Sequence, residues 1–211
     1  MKFSPKEALA NISLLTPKLI FLTGKSGTGK SYYSNILADK YNYKILELDK
    51  IIRNIAKKHN IGYAPDYAKA FSIYKGDQSE VIMKDFINEI HTFIDKHPNN
   101  PILIEGAISN AQLINNIFSK QYSVFAFIYL NPSNIKKYAS QMMKRFKEDK
   151  RNKTKTLSIW PEVTTEINNL PTNSPKVAQF IMKQAKQSKK KSDERLQYFI
   201  SNKFKVYIIN I

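Results

Sequence analysis

The sequence predicts an α/β fold: a five-stranded parallel sheet with helices on both faces and a helical lid. Short apolar runs alternate along the chain with stretches of helical periodicity, which is the order of elements typical of parallel sheets. A glycine-rich segment, residues 24–31, directly follows the first apolar run. No linker or internal repeat divides the 211 residues, so we expect a single domain over residues 1–211.

The predicted strands are five compact apolar runs, at residues 18–23, 43–49, 101–106, 122–130 and 204–209. Helical spacing predicts helices near residues 31–41, 50–58, 77–97 and 175–201, and a basic helix after the start signal at residues 131–133. Ser4, Pro5 and Glu7 form a capping-box pattern that predicts a short opening helix. The second strand ends in Asp49, so we expect that carboxylate at the carboxyl edge of the sheet.

The composition excludes several kinds of site. The chain has no cysteine, which excludes disulfides, thiolate zinc sites and a cysteine nucleophile, and its three histidines argue against a multi-histidine metal site. The formal net charge of +17 favours anionic partners such as nucleic acid, acidic membranes or phosphate-rich ligands. Because 30 of the 34 cations are lysines, a lysine-rich surface without a binding role is the alternative. No targeting or membrane segment is visible, and we expect a cytoplasmic protein with no membrane partner.

Much of the charge lies in two segments. Residues 136–155 carry nine cations and two acids, and residues 176–191 carry six cations and no acid. The first segment falls in the predicted lid, where a polyphosphate is a sufficient partner. A solvated helix face is the favoured interpretation of the second segment, which keeps nucleic acid as a secondary candidate partner.

Residues 24–31 match the phosphate-binding loop pattern without a mismatch. Its glycines let the backbone curl so that successive amide N–H groups point at one phosphate, and the following helix presents its positive end to the same anion. The lysine of the pattern supplies charge to the outer phosphates, and the hydroxyl after it can bind Mg²⁺. The predicted cofactors are ATP and Mg²⁺, and the predicted nucleotide-binding residues are Gly24, Lys25, Ser26, Gly27, Thr28, Gly29, Lys30 and Ser31.

Other motifs distinguish branches of the P-loop class. The chain lacks the acid-x-x-Gly switch and the Asn-Lys-x-Asp base reader of GTPases, and Gly106 follows Glu105 where motor and AAA-type ATPases typically have a second acid. What remains resembles the P-loop small-molecule kinases of the nucleoside and nucleotide kinase superfamily, with uridine kinase-like enzymes as the nearest pattern. The resemblance implies transfer of the γ-phosphate of Mg·ATP to a hydroxyl of a small metabolite, nucleoside or nucleotide, with Lys30 as a catalytic cation.

The resemblance also implies roles for residues outside the loop. Asp49 takes the place of the aspartate that acts on the acceptor hydroxyl, and a helix N-cap is its alternative role. Arg53, one turn later, would bind the acceptor or simply pair with Asp49. Glu105 would face the metal together with Ser31, unless it is exposed in a loop. The acceptor-binding region would span residues 49–97.

Residues 136–160 resemble the lid that closes over the triphosphate in these kinases. Its arginines, Arg145 and Arg151, would stabilise charge on the transferred phosphoryl group. Local helix pairs of Arg145 with Asp149 and of Glu148 with Arg151 are the alternative.

Two other functions stay open. A kinase acting on nucleic-acid 5′-hydroxyl groups would use the basic surface and the Asp49–Arg53 pair, whereas an ATP-switched binding module would need no catalytic base. The sequence predicts neither the acceptor nor an oligomeric state. Many kinases of this class hold the base with a loop and helix after the fifth strand, and no such segment lies between residue 209 and Ile211.

Overall fold

A computed structural model describes residues 2–3, 19–25, 27–59, 77–106, 115, 118, 125–151 and 165–211. Within these residues, one parallel sheet contains β1 (Lys2–Phe3), β2 (Leu19–Gly24), β3 (Lys44–Glu47), β4 (Ile102–Glu105), β5 (Phe125–Asn131) and β6 (Val206–Asn210). The helices are α1 (Lys30–Tyr41), α2 (Leu48–Lys58), α3 (Asp77–Asp95), α4 (Ile135–Arg151), α5 (Thr165–Asn169) and α6 (Pro175–Ser201). The strand order is β1–β6–β5–β2–β4–β3.

Strand β2 lies inside the sheet and leads into the glycine-rich loop. Its side chains are buried on both faces, as expected for a parallel strand with a neighbour on each side and helices above and below. It pairs with β4 and β5 in a register that sets Leu22 beside Glu105 and Gly24 beside Leu130. The carboxyl ends of these strands therefore meet at one edge of the sheet.

The sheet has an α1 face and an α6 face, each named for a helix that packs on it. On the α1 face, Ile20 of β2 packs in one cluster with Leu37 of α1. On the α6 face, Leu19 and Phe21 pack in a cluster with side chains from α2, α3 and α6. Successive side chains of a strand point to opposite faces, so Thr23 also belongs to the α6 face. The predicted parallel sheet with helices on both faces is confirmed.

A third hydrophobic cluster lies beside the sheet, between α4 and the first half of α6. Tyr138, Met142 and Phe146 recur at helical spacing on α4 and pack with Val177 and Ile181 of α6. Helix α4 contains the described part of the predicted lid, residues 136–151. This part of the lid is therefore one member of a packed helix pair.

Three sequence expectations differ from the structure or fall outside it. Strand β1 adds a sixth strand that pairs with β6, because two residues are too few to show a period in the sequence. The second predicted strand ends at Glu47 and not at Asp49, since α2 already begins at Leu48. The predicted opening helix at residues 4–7 lies outside the described residues. Among the helices that the structure describes, none is long and apolar enough to cross a membrane.

Candidate active site

The glycine-rich loop connects β2 to α1 at the carboxyl edge of the sheet. Gly27 and Gly29 have φ angles of 78° and 85°, in the left-handed region that residues with a Cβ rarely adopt. Gly24 is required for a different reason, because a Cβ there would lie 2.9 Å from Thr28 Oγ1. That hydroxyl closes the turn by donating a 2.8 Å hydrogen bond to the Lys25 carbonyl. The loop thus has the curled backbone that its sequence pattern predicts.

Lys30 is the first residue of α1, and its side chain extends over the preceding loop. Its Nζ donates hydrogen bonds of 3.2 Å to the carbonyl oxygens of Gly24 and Lys25. These contacts hold the ammonium group over the loop, where it would meet a phosphate bound by the loop amides.

Charged groups from three other elements act on Lys30. Burial has the largest influence and lowers the pKa of the Lys30 ammonium group. The negative charges of Glu105 in β4 and Asp49 in α2 raise that pKa, whereas the positive charge of Arg145 in α4 lowers it. Three predicted site residues that are distant in sequence therefore lie within electrostatic reach of Lys30.

Two hydroxyl groups of α1 hold the carboxylate of Glu105. Ser31 Oγ donates to Oε1 at 3.0 Å, and Ser34 Oγ donates to Oε2 at 2.7 Å. Exposure of Glu105 in a loop is therefore excluded. Ser31 was predicted as a site residue, but the buried Ser34 was not, because its one signal in the sequence is a three-residue spacing from Ser31 on the predicted helix.

Asp49 lies in the first turn of α2, directly after Leu48. The N-cap of this helix is Glu47, so the alternative N-cap role of Asp49 is wrong, although the carboxylate still lies near the positive end of the helix. Helix α2 approaches β4 closely, because a Cβ on Gly106 would lie 2.5 Å from the Leu48 Cβ. This close contact brings the exposed Asp49 to the same sheet edge as Glu105.

The two predicted lid arginines have different positions. Arg145 acts on the loop lysine and also forms a local ion pair with Asp149, with 3.8 Å between Nε and Oδ2. Arg151 is the exposed last residue of α4, about 9 Å farther along the helix axis. Arg53 lies within α2, but its side chain, like the whole of Ser26, is outside the described residues.

Helix α4 contacts the tip of the loop. Met142 Cγ and Tyr138 Cε2 lie 3.5 Å and 3.7 Å from the position that a Cβ would occupy on Gly27. The Tyr138 hydroxyl is hydrogen-bonded to Ser188 of α6, and burial raises its pKa to about 12. The described part of the predicted lid is thus attached at its base to both the loop and α6.

The basic segment 176–191 lies on a largely solvated helix face, since five of its six lysines are exposed. Lys176 pairs with Glu166 of α5 at 3.0 Å, and Lys189 pairs with Asp193 one turn later at 2.7 Å. These two pairs neutralise part of the charge that suggested nucleic acid as a partner.

A sequence model of the AAA domain family matches residues 20–168, which include the loop, Asp49, Glu105 and Arg145. Among curated proteins, the chain is similar to "Adenylate kinase 2" of Plasmodium falciparum (isolate 3D7). The two are 24% identical over 118 residues, which are 52% of this chain and 43% of that relative. The match therefore spans less than half the length of the relative.

Among solved structures, the chain is similar to a shikimate kinase from Bacteroides thetaiotaomicron, with a TM-score of 0.43 and 16% identity over 91% of this chain and 85% of that one. It is also similar to a gluconokinase from Sinorhizobium meliloti 1021, with a TM-score of 0.41 and 15% identity over 87% of this chain and 97% of that one.

The predicted resemblance to P-loop nucleotide and small-molecule kinases is confirmed, while none of these similarities singles out the uridine kinase-like pattern. The AAA domain match also corrects the sequence interpretation, which set AAA-type proteins aside because Gly106 follows Glu105. The match shows that a second acid after Glu105 is not a requirement of this family.

Proposed function

This chain belongs to the AAA domain family, and we propose that it is an ATP-dependent phosphotransferase. It would move the γ-phosphate of Mg·ATP to a hydroxyl of a small metabolite, nucleoside or nucleotide. The observation that carries the proposal is the set of groups around Lys30, where two carboxylates and a second cation come from three other elements. Phosphoryl transfer requires cations for the phosphates and carboxylates for the metal and the acceptor.

The loop and α1 supply the nucleotide site in this proposal. The amide groups of the curled loop and the positive end of α1 favour a phosphate, and Lys30 adds a charge directly above it. Gly27 and Gly29 keep the loop in the conformation that exposes these amides.

Ser31 and Glu105 fit a magnesium ion. Their oxygens lie 3.0 Å apart, and hydroxyl and carboxylate oxygens are donors that Mg²⁺ prefers. The described residues contain no group of three or more histidine and acidic side chains around one point, so further ligands would come from phosphate and water. When bound, the ion would neutralise charge on the phosphate oxygens during transfer.

Asp49 is the proposed base. It accepts the proton of the acceptor hydroxyl as that oxygen forms a bond to the γ-phosphorus. The bond from the γ-phosphorus to the bridging oxygen breaks, and ADP leaves with its electron pair. Lys30 and Arg145 stabilise the negative charge, Arg53 binds the acceptor one turn from the base, and Arg151 is a second lid cation.

The test is ADP release from Mg·ATP with a panel of nucleosides, nucleotides, sugars and oligonucleotides. Lys30→Ala should lower release about a hundredfold or more with every acceptor. Lys40→Ala removes the same charge at the exposed end of α1 and should change little. Asp49→Asn should lower kcat by about a hundredfold or more while the KM for ATP stays near the wild-type value. Retained turnover in Lys30→Ala would overturn the mechanism.

The two alternative functions predict different results in the same assay. An ATP-switched binding module would show no acceptor that raises ADP release, and Asp49→Asn would leave its ATP turnover unchanged. A polynucleotide kinase would prefer the oligonucleotides, and its activity would fall steeply as salt rises.

A further inference from the structure

A group of cations lies on the α6 side of the loop, apart from the groups around Lys30. We propose that Lys25, Lys191 and Arg195 form a second phosphate-binding site, which takes a phosphate group other than those bound in the loop. Its ligand is a phosphate monoester of a small molecule or free inorganic phosphate, which share the same dianionic group. The site goes beyond the proposed transfer reaction, because binding there requires no turnover.

The strand that precedes the loop directs Lys25 toward α6. Side chains of β2 alternate between the two faces, and both Phe21 and Thr23 belong to the α6 face. Lys25 follows the end of β2 by one residue, in the loop that continues from the α6-facing Thr23. Lys30, by contrast, begins α1, which packs on the opposite face.

Two hydrogen-bonded contacts fix α6 beside the loop. The buried Tyr129 hydroxyl is 3.0 Å from the Ser192 carbonyl oxygen and 2.9 Å from Ser192 Oγ. Tyr129 is paired in register with Thr23, the residue that precedes the first loop glycine. One turn earlier on α6, Ser188 bonds to Tyr138, whose ring lies against the loop tip. Helix α6 is therefore held at loop level from both the sheet and α4.

The turn of α6 then determines which side chains face the loop. Successive residues of a helix are rotated by about 100° around its axis. By this rotation, Lys191 and Arg195 lie on the same flank of α6 as Ser188, each within about 100° around the axis from Ser192, which faces the sheet. The ion pair of Lys189 with Asp193 falls on the opposite flank. Lys191 and Arg195 thus lie on the flank of α6 that also carries Ser188, the residue bonded to Tyr138 at the loop tip.

The charges of the three side chains act on one another. Burial has the largest influence on Lys25 and lowers its pKa. The positive charges of Arg195 and Lys191 lower the pKa further, and the negative charge of Glu194 raises it by a smaller amount. Among the described residues, no salt bridge joins any of these three cations to a carboxylate. Lys191 and Arg195 are also like charges four residues apart on one helix, an arrangement that slightly destabilises a helix.

Two observations favour a site separate from the one in the loop. The charged groups that act on Lys30 are Glu105, Asp49 and Arg145, whereas α6 supplies those that act on Lys25. The fully buried Thr23 hydroxyl, next to the loop on the α6 face, has no hydrogen-bond partner among the described residues. A buried hydroxyl without a partner is uncommon, and a phosphate oxygen is an acceptor that such a donor would satisfy.

The test titrates inorganic phosphate into the whole protein after a non-hydrolysable ATP analogue and Mg²⁺ have filled the loop. The amide NMR resonances of Thr23, Lys25 and Arg195 should shift with a saturable dependence on phosphate. Lys191→Gln and Arg195→Gln should each weaken this binding about tenfold. Lys190→Gln removes the same charge from the outer face of α6 and should leave the affinity within twofold.

Further titrations distinguish a phosphorylated small molecule from free phosphate, and several outcomes would overturn the proposal. Ribose 5-phosphate binding more tightly than inorganic phosphate would indicate a phosphorylated small molecule, whereas equal affinity would indicate free phosphate, and ribose should leave the three resonances unchanged. Absence of binding once the analogue fills the loop, or equal loss in Lys190→Gln, would refute the second site. A weaker affinity for the ATP analogue in Arg195→Gln with no effect on phosphate would assign these cations to the triphosphate. Since no arm depends on turnover, failure of the proposed transferase activity would be distinguishable from failure of this site.

Discussion

Ser34 donates a hydrogen bond of 2.7 Å to Oε2 of Glu105 and so connects α1 to the carboxyl end of β4. Ser31, three residues earlier on the same helix, holds the other carboxylate oxygen at 3.0 Å. The orientation of the proposed metal-binding carboxylate is therefore set in part by a buried residue that belongs to no recognised motif.

Ser34→Ala should impair the use of magnesium. Removal of the hydroxyl leaves Glu105 Oε2 without this donor, so we expect the Mg²⁺ concentration for half-maximal ADP release to rise about tenfold. The free energy of unfolding should fall by about 1–2 kcal/mol, because a buried hydrogen bond is lost. Ser201→Ala, at the exposed end of α6, is the control and should change neither quantity. An unchanged magnesium dependence in Ser34→Ala would show that Glu105 needs no such support.

Arg145→Gln and Arg151→Gln should separate the two lid arginines. Arg145 lies within electrostatic reach of Lys30, so its loss should lower kcat about a hundredfold, whereas Arg151→Gln should have an effect below tenfold. Steady-state kinetics with saturating ATP provide the measurement. Asp149→Asn is the control for the local ion pair with Arg145. Because the pair is 3.8 Å long and the Arg145 side chain is 42% exposed, we expect it to contribute about 0.5 kcal/mol or less to the free energy of unfolding. Equal losses in the two arginine variants would contradict the assignment.

Gly106→Ala should destabilise the protein and displace Asp49. The added Cβ would meet the Leu48 Cβ at 2.5 Å, which requires α2 to move away from β4. We expect a loss of about 1–3 kcal/mol in urea unfolding, the usual cost of overpacking. Because α2 carries Asp49, kcat should fall more than the KM for ATP rises. A variant with wild-type stability would mean that the α2–β4 contact is looser than 2.5 Å implies.

Tyr138→Phe should change the alkaline stability profile. The folded state raises the pKa of Tyr138 from 10.0 to about 12, so it binds this proton more tightly than the unfolded chain does. The stabilisation is complete below pH 10 and is lost as pH rises toward 12. Thermal unfolding should show Tyr138→Phe less stable than wild type at pH 8, with the difference shrinking between pH 10 and 12. Tyr198→Phe, at an exposed tyrosine of α6, should show no such convergence.

Much of the fold follows from local patterns. The apolar run before the loop, the glycines within it and the helical spacing after it predict β2, the loop and α1 almost to the residue, because each depends on neighbours in sequence. The helix predicted at residues 175–201 is observed as Pro175–Ser201, since proline favours the first turn of a helix.

Other features were not predictable because they depend on contacts between distant segments. The two residues of β1 become a strand only by pairing with β6, and Ser34 has a role only because β4 ends beside it. The end of β3 was misplaced by two residues, since the same apolar and acidic pattern serves a strand or the first turn of α2.

The sequence by itself determined the class of the fold, the phosphate-binding loop and the identity of the charged residues that surround Lys30, because these depend on residue type and short spacing. Only the tertiary structure decided which of those charges act on one another. It brought Arg145 within electrostatic reach of Lys30, held Glu105 with two hydroxyls and brought Lys191 and Arg195 within electrostatic reach of Lys25. Strand order and helix rotation decide such contacts, and both are set by burial of apolar surface across the whole chain.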